Sequence, residues 1–213
     1  MNVEVYINKV AFKISELSNQ KSEIMRAAAI LSDAIMNDRL LHIYGSEEVS
    51  SSLIASHFFK AGKPMNLNPM FDPSLDPAHG SYRNTMCMEV PGLAPCILDY
   101  YEYVEEGDPI ILIGSDPIFI GFSEALEWAK AKGLIVIAVT CSPAQGAEVS
   151  LKTGSESYAD GTYIALASTI LELMFDKVKE SVPERFIWKG SRFVDLQHDK
   201  DRIKEVLFRV KHL

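Results

Sequence analysis

Residues Gly107 to Thr140 read GDPIILIGSDPIFIGFSEALEWAKAKGLIVIAVT. Two almost wholly apolar runs, Pro109 to Gly114 and Leu134 to Thr140, enclose a helix-like segment from Pro117 to Lys132. Strands covered by helices on both faces need side chains that are apolar whichever way they point, and isoleucine and valine suit such strands best. A strand, a helix and a second strand of this kind make a parallel pair joined by a right-handed crossover.

The same alternation continues outward. Strand-like runs lie upstream at Leu40 to Tyr44 (LLHIY) and Pro64 to Asn68 (PMNLN), with helix-like segments at Val49 to Lys60 and Met88 to Tyr103. Downstream, Thr162 to Lys179 carries a broad apolar face built from Ile164, Leu166, Ile170, Leu171, Met174, Phe175 and Val178. Such an order predicts an α/β, three-layer sandwich with a parallel sheet of about five strands. Before it, Val5, Val10, Phe12, Ile14 and Leu17, then Ile24, Ala27, Ala28, Leu31 and Ile35, predict two helices or one long bent helix ending at Asn37-Asp38. After Pro183, FIWKGSRFVDL suggests a short hairpin or edge strand around Lys189-Gly190, and DKDRIKEVLFRVKHL an amphipathic last helix. The 213 residues suit a single domain: a helical N-terminal region (1–38), a sheet core (40–180) and a C-terminal extension (183–213).

Composition narrows the function. With 47% apolar residues, 23% charged residues and a formal net charge of −8, the chain lacks the clustered basic surface that nucleic acid or an anionic membrane needs. Its N-terminus has no signal-type apolar core and no run approaches a membrane span, so a cytoplasmic setting is expected. Cys87, Cys96 and Cys141 are odd in number and lack metal-type spacing, and are read as reduced thiols. The five histidines, His42, His57, His79, His198 and His212, form no HxH or HExxH pattern, so no metal is expected. Neither a P-loop nor G-x-G-x-x-G occurs, and no cofactor is expected.

The stretch Gly107 to Thr140 resembles, without a gap, the middle of sugar isomerase (SIS) domains. There Gly-Asp leads into a strand, a polar loop, a helix ending in glycine and a strand ending in threonine. Ala61 to Leu75 (AGKPMNLNPMFDPSL) and Val90 to Tyr101 (VPGLAPCILDYY) resemble the bacterial phosphoheptose isomerase branch of that superfamily. The resemblance covers roughly residues 20 to 175 and implies a flavodoxin-like sheet with its site at the strand carboxyl ends. It also implies a small-molecule sugar or sugar phosphate as ligand, and a homodimer formed through the N-terminal helices and the helix near Thr162 to Lys179. A phosphosugar isomerase with a diverged site is the activity implied, and a non-catalytic dimeric sensing or scaffold module is the alternative.

In SIS domains two loops present backbone N–H groups and serine hydroxyls to the ligand's phosphate. Here the loops are Gly45-Ser46-Glu47-Glu48-Val49-Ser50-Ser51 and Gly114-Ser115-Asp116-Pro117. Gly45, Ser46, Ser50, Ser51, Gly114, Ser115 and Asp116 are therefore the candidate substrate-binding residues. Both loops have gained acid where the family has glycine or serine, and a carboxylate facing a phosphate would oppose binding. Asp116-Pro117 also reads as a helix cap, and Glu47 and Glu48 as acids compensating a helix dipole. As candidate general bases for moving a proton between adjacent carbons, Glu47, Glu48 and His79 stand out. His79 lies in the least regular region, Phe71 to Thr85. His57 on its helix face reads as packing, and Tyr100, Tyr101 and Tyr103 as core or subunit boundary. Gly154, Ser155, Glu156 and Ser157 read as a solvated loop.

Overall fold

The computed structural model describes residues 2–58, 60–155 and 162–189, together with 201, 203–205, 209 and 210. Helix α1 (Val3–Glu16) begins under an Asn2 cap, whose Oδ1 accepts the Glu4 N–H at 3.1 Å. A 3-10 turn, Leu17–Gln20, bends the chain into α2 (Lys21–Met36), which ends where Asp38 turns left-handed at φ 56°. Then come β1 (Leu41–Gly45), α3 (Glu48–His57) and β2 (Leu67–Met70). Two 3-10 turns, Pro73–Leu75 and Pro77–His79, lead to α4 (Ser81–Met88) and α5 (Leu93–Asp99). The chain closes with β3 (Pro109–Ile113), α6 (Ile120–Ala131), β4 (Ile135–Thr140), β5 (Val149–Lys152) and α7 (Tyr163–Ser181).

Among the described residues the five strands form one parallel sheet in the order β2-β1-β3-β4-β5. Alternation along the central strands sorts the core into two layers. Ile111 and Ile113 join Leu41, Ile43, Ile137 and Val139 under α2, α3 and α7. Ile110 and Leu112 join Tyr44, Val136 and Ala138 under α5 and α6. Each of Ile110, Ile111, Leu112 and Ile113 is fully buried, which makes β1, β3 and β4 the central parallel strands that the apolar runs predict.

The boundaries depart from expectation in several places. Helix Met88 to Tyr103 shrinks to α5, because Gly92 sits left-handed at φ 81° and breaks it at its start. The irregular region runs into α4, and the strand at Pro64 to Asn68 is displaced to Leu67–Met70. Strand β5, a four-residue edge, carries too little pattern to be foreseen. Near the start of β2 the chain also meets its own C-terminal segment: Pro64 and Ile187 form an antiparallel bridge, and Met65 N–H donates to the Phe186 carbonyl at 2.9 Å. The hairpin expected around Lys189-Gly190 runs into residues outside those described, as does most of the expected last helix. Val210, however, packs on Leu40 and Phe58.

At the amino ends of β1, β2 and β3 lies a buried polar network. His42 Nε2 is 3.1 Å from Asp108 Oδ2, and its Nδ1 is 3.1 Å from Asn68 Nδ2. Since an amide nitrogen only donates, His42 accepts at Nδ1 and donates from Nε2. Arg39 and the Glu105 N–H complete the shell of Asp108, at 3.1 and 3.0 Å. Burial acts to raise the Asp108 carboxyl, but the His42, Glu105 and Arg39 hydrogen bonds outweigh it and hold it below the usual value.

Candidate functional site

In an open parallel sheet, ligands bind beyond the carboxyl ends of the strands where the strand order reverses. Here the order reverses between β1 and β3. The loops that leave these two strands are the two that the sequence singles out.

Gly45 ends β1 with no room for a side chain, since a Cβ there would stand 2.4 Å from Ser50 Cβ and 2.9 Å from the Ser50 carbonyl carbon. The first turn of α3 thus rests directly on the strand. Ser46 is buried, and its N–H donates to the Ile113 carbonyl at 3.1 Å, which ties the first loop to β3. Gly114 has the same constraint, with Ser46 Oγ and Phe122 Cδ2 each 2.8 Å from where its Cβ would be. Glu47 caps α3 by position, yet its side chain turns away from that helix and crosses to the second loop. Its Oε1 accepts the Ser115 hydroxyl at 2.7 Å, and both its oxygens lie 3.2 Å from the Ser115 N–H. Only 4% of Glu47 is exposed.

Asp116 is engaged in its own loop. Its Oδ1 accepts the Ile118 N–H at 3.1 Å and its carbonyl the Phe119 N–H at 3.1 Å, closing a local turn. Helix α6 starts only at Ile120, with Phe119 at its cap, so Asp116-Pro117 shapes the loop ahead of the helix and does not cap it. Glu48 opens α3, and its side chain lies outside the described residues.

Behind Glu47 sit two buried hydroxyls, Ser50 Oγ and Tyr163 Oη, neither of which meets a hydrogen-bond partner. Burial above all, and then the Glu47 carboxylate and Cys141, push the Tyr163 phenol far up, and the nearby Ser50 does not offset them. Next to them Ser155 Oγ lies 3.4 Å from Cys141 Sγ and 2.7 Å from Thr153 Oγ1. Ser155 is thus buried in the fold and not part of a solvated loop, whereas Glu156 and Ser157 fall outside the described residues.

Over the carboxyl ends of β1 and β2 opens a cavity of about 340 Å³, lined by Ser51, Ser52, Ala55, Phe71, Asp72, Pro73, Asp76 and His79. It brings together Ser51 and His79, 28 positions apart in the sequence. His79 Nδ1 faces Asp76 Oδ2 at 3.4 Å, and the partly exposed imidazole stays accessible. Asp72 Oδ1 takes the Ser74 N–H at 2.7 Å, and Asp76 Oδ1 the Ala78 N–H at 2.9 Å. Hydroxyls and an imidazole backed by a carboxylate can hold a polyol and exchange a proton with it. Sequence reasoning missed Asp72 and Tyr163. The last of these reads as one more apolar-face residue of α7, and nothing in the chain flags its hydroxyl.

The remaining candidates are structural. His57 is 1% exposed, packs 6.0 Å from the Phe175 ring centroid, and has Nδ1 2.8 Å from the Leu53 carbonyl. Burial holds it below the ordinary histidine value. The Leu53 carbonyl and then Glu172, 3.3 Å from Nε2, counter only in part, and the Lys63 and Lys60 charges add to the lowering. Tyr101 donates to the Phe71 carbonyl at 2.9 Å, and Tyr100 and Tyr103 are exposed. Among the described residues no His, Cys, Asp and Glu cluster is placed to hold a metal, and no helix is long and apolar enough to cross a membrane.

Comparison with known proteins agrees with this architecture. A phosphoheptose isomerase from Neisseria gonorrhoeae superposes with TM-score 0.65 at 17% identity, over 84% of this chain and 97% of that one. One from Francisella tularensis gives TM-score 0.64 at 16% identity, over 84% and 96%. UPF0309 proteins of Geobacillus thermodenitrificans and Geobacillus kaustophilus are 27% and 29% identical over 141 residues. Those stretches cover 65% and 63% of this chain, and the chain spans only 55% of the length of each relative. Residues 5–141, which run from within α1 through β4 and include both loops at the strand reversal, match the model of the SIS domain, and the chain belongs to that family.

Proposed function

We propose that this protein binds a carbohydrate derivative in the cavity between α3 and the 3-10 turns after β2. The observation that carries the reading is the meeting of Ser51, Ser52, His79, Asp72 and Asp76 around about 340 Å³ at the strand carboxyl ends. Its hydroxyls and carboxylates suit the alternating donors and acceptors of a sugar. His79, backed by Asp76, is the group for an isomerase-type proton transfer, with a sugar phosphate or a related sugar as substrate. The structural neighbours that bear the phosphoheptose isomerase name support this reading through shared fold.

A homodimer and a cytoplasmic setting complete the proposal. Helix α1 buries none of its residues, and Val3, Ile7, Val10 and Ile14 recur along it at alternating steps of four and three, the spacing of a helix-pairing seam. That seam also supports the second reading, a non-catalytic dimeric module. Three free thiols suit a reducing compartment.

Thermal-shift measurements against sugars, amino sugars and sugar phosphates test the site. A ligand that raises the melting temperature of the wild type, and fails to do so for Ser51→Ala or His79→Ala, is the expected result. Shifts that survive both substitutions, or no shift across the panel, would overturn the assignment. Isomerisation that vanishes in His79→Gln while binding persists would separate enzyme from module.

A further inference from the structure

The donors at the strand reversal are already taken. Ser115 directs its N–H and hydroxyl toward the space between the two loops, where an anionic group of a ligand would sit, and Glu47 fills that space with its own carboxyl oxygens. Near Glu47 lie two further hydroxyls, Ser50 Oγ and Tyr163 Oη, each fully buried and without a hydrogen-bond partner in the fold. The neighbouring cavity repeats the sign, with Asp72 and Asp76 on its wall and no lysine or arginine among the described residues that line it. A dianion arriving here would displace Glu47 from Ser115 and would still face carboxylates.

We propose that Glu47 is an internal stand-in for a ligand anion, holding the position over Ser115 shut, so that the bound carbohydrate carries no phosphate at that end. Building on the carbohydrate reading above, the ligand class becomes an uncharged or amino sugar. Glu47 is then a specificity-determining residue in place of a general base. The two orphan hydroxyls have a matching explanation: together with the Ser115 donors they form an anion cradle that becomes available only when the carboxylate is gone.

The test uses inorganic phosphate as probe, titrated calorimetrically into the wild type, Glu47→Ser, Glu47→Gln and the double variant Glu47→Ser/Ser115→Ala. Saturable phosphate binding at least about tenfold tighter in Glu47→Ser than in the wild type, and lost again in the double variant, is the expected outcome. Should Glu47→Ser fail to fold, Glu47→Gln keeps the length and an acceptor while removing the charge, and carries the test with a gain of about threefold or more. Wild-type binding as tight as in the variants would overturn the proposal, and so would the absence of any gain in a folded variant. Because the probe is phosphate alone, the result is independent of whether a sugar is found for the cavity. A sugar panel that fails on wild type and Ser51→Ala alike counts against the carbohydrate site and leaves the phosphate result standing.

Discussion

Replacing Gly45 by alanine should unseat the site at its base. The added Cβ would stand 2.4 Å from Ser50 Cβ and 2.9 Å from the Ser50 backbone, and 3.4 Å is the nearer limit of ordinary contact. The first turn of α3 must therefore retreat by about 1 Å, a shift that the close-packed interior resists. Overpacking of this kind costs about 1–3 kcal/mol. Glu47 rides on that turn, and pulling its buried carboxylate from the Ser115 donors adds about 1.5–3 kcal/mol. Lower entropy of the unfolded chain returns about 0.5–1 kcal/mol. The net expectation is a loss of about 3 kcal/mol, which at an ordinary slope of about 2 kcal/mol per molar lowers the urea midpoint by about 1.5 M. Gly121→Ala is the internal comparison. Its nearest neighbours, Ser46 Cβ and the Ser46 carbonyl, stand at 3.4 Å, and it lies inside α6. Alanine there should be neutral or stabilising by up to about 1 kcal/mol. If Gly45→Ala falls within about 0.5 kcal/mol of the wild type, the helix does not press on the strand as described and the reasoning fails.

Other expectations can be checked the same way. Asp108→Asn should cost about 3 kcal/mol, because it breaks a buried charge network and offers His42 a poorer partner. The Asp108 carboxyl is held below its ordinary value of 3.8 in the folded chain, so its contribution is complete above that value and fades as pH falls through the lower folded value. Urea midpoints between neutral pH and about pH 2.5 should therefore fall less steeply in Asp108→Asn than in the wild type, and parallel slopes would refute it. Folding depresses His57 below its ordinary 6.5 through burial, so stability from its neutral form is present above that value and declines as pH drops toward the folded value. An imidazole proton titration by NMR should place its midpoint under 6.5, and one above it would contradict the assignment. Ile7→Glu and Ile14→Glu on the exposed seam of α1 should convert a dimer into a monomer of 23.7 kDa by light scattering. A wild type that is already monomeric at micromolar concentration refutes the seam.

How much of this was legible in the chain depends on where each signal resides. The central strands announce themselves, because burial on both faces makes every position of Ile110 to Ile113 apolar. Strand β5 does not, since at Val149–Lys152 only two of its four residues are buried and an edge needs no more. Helix α4 hides behind Pro73, Pro77 and Gly80, in a composition that reads as loop, and packing against the 3-10 turns overrides local propensity. For the site, glycine and serine at the ends of apolar runs pointed to the two loops that leave the sheet where its strand order reverses. Which acid closes them could not be read, because Glu47 and Ser115 are 68 residues apart and their pairing belongs to the fold. Asp116, the more conspicuous acid beside Ser115, spends its carboxylate on its own turn.

The buried histidine at the foot of the sheet also sets an order in time. His42 meets Asn68 across 26 residues and Asp108 across 66, so the second closure costs roughly 0.8 kcal/mol more in chain entropy than the first. During synthesis the segment through β2 can give His42 one partner and leaves the other ring nitrogen unanswered. Only the arrival of β3 satisfies both. A nascent chain that stops short of Asp108 therefore holds a polar group that its apolar surroundings penalise, and the pairing of β1 with β2 stays provisional until the third strand docks.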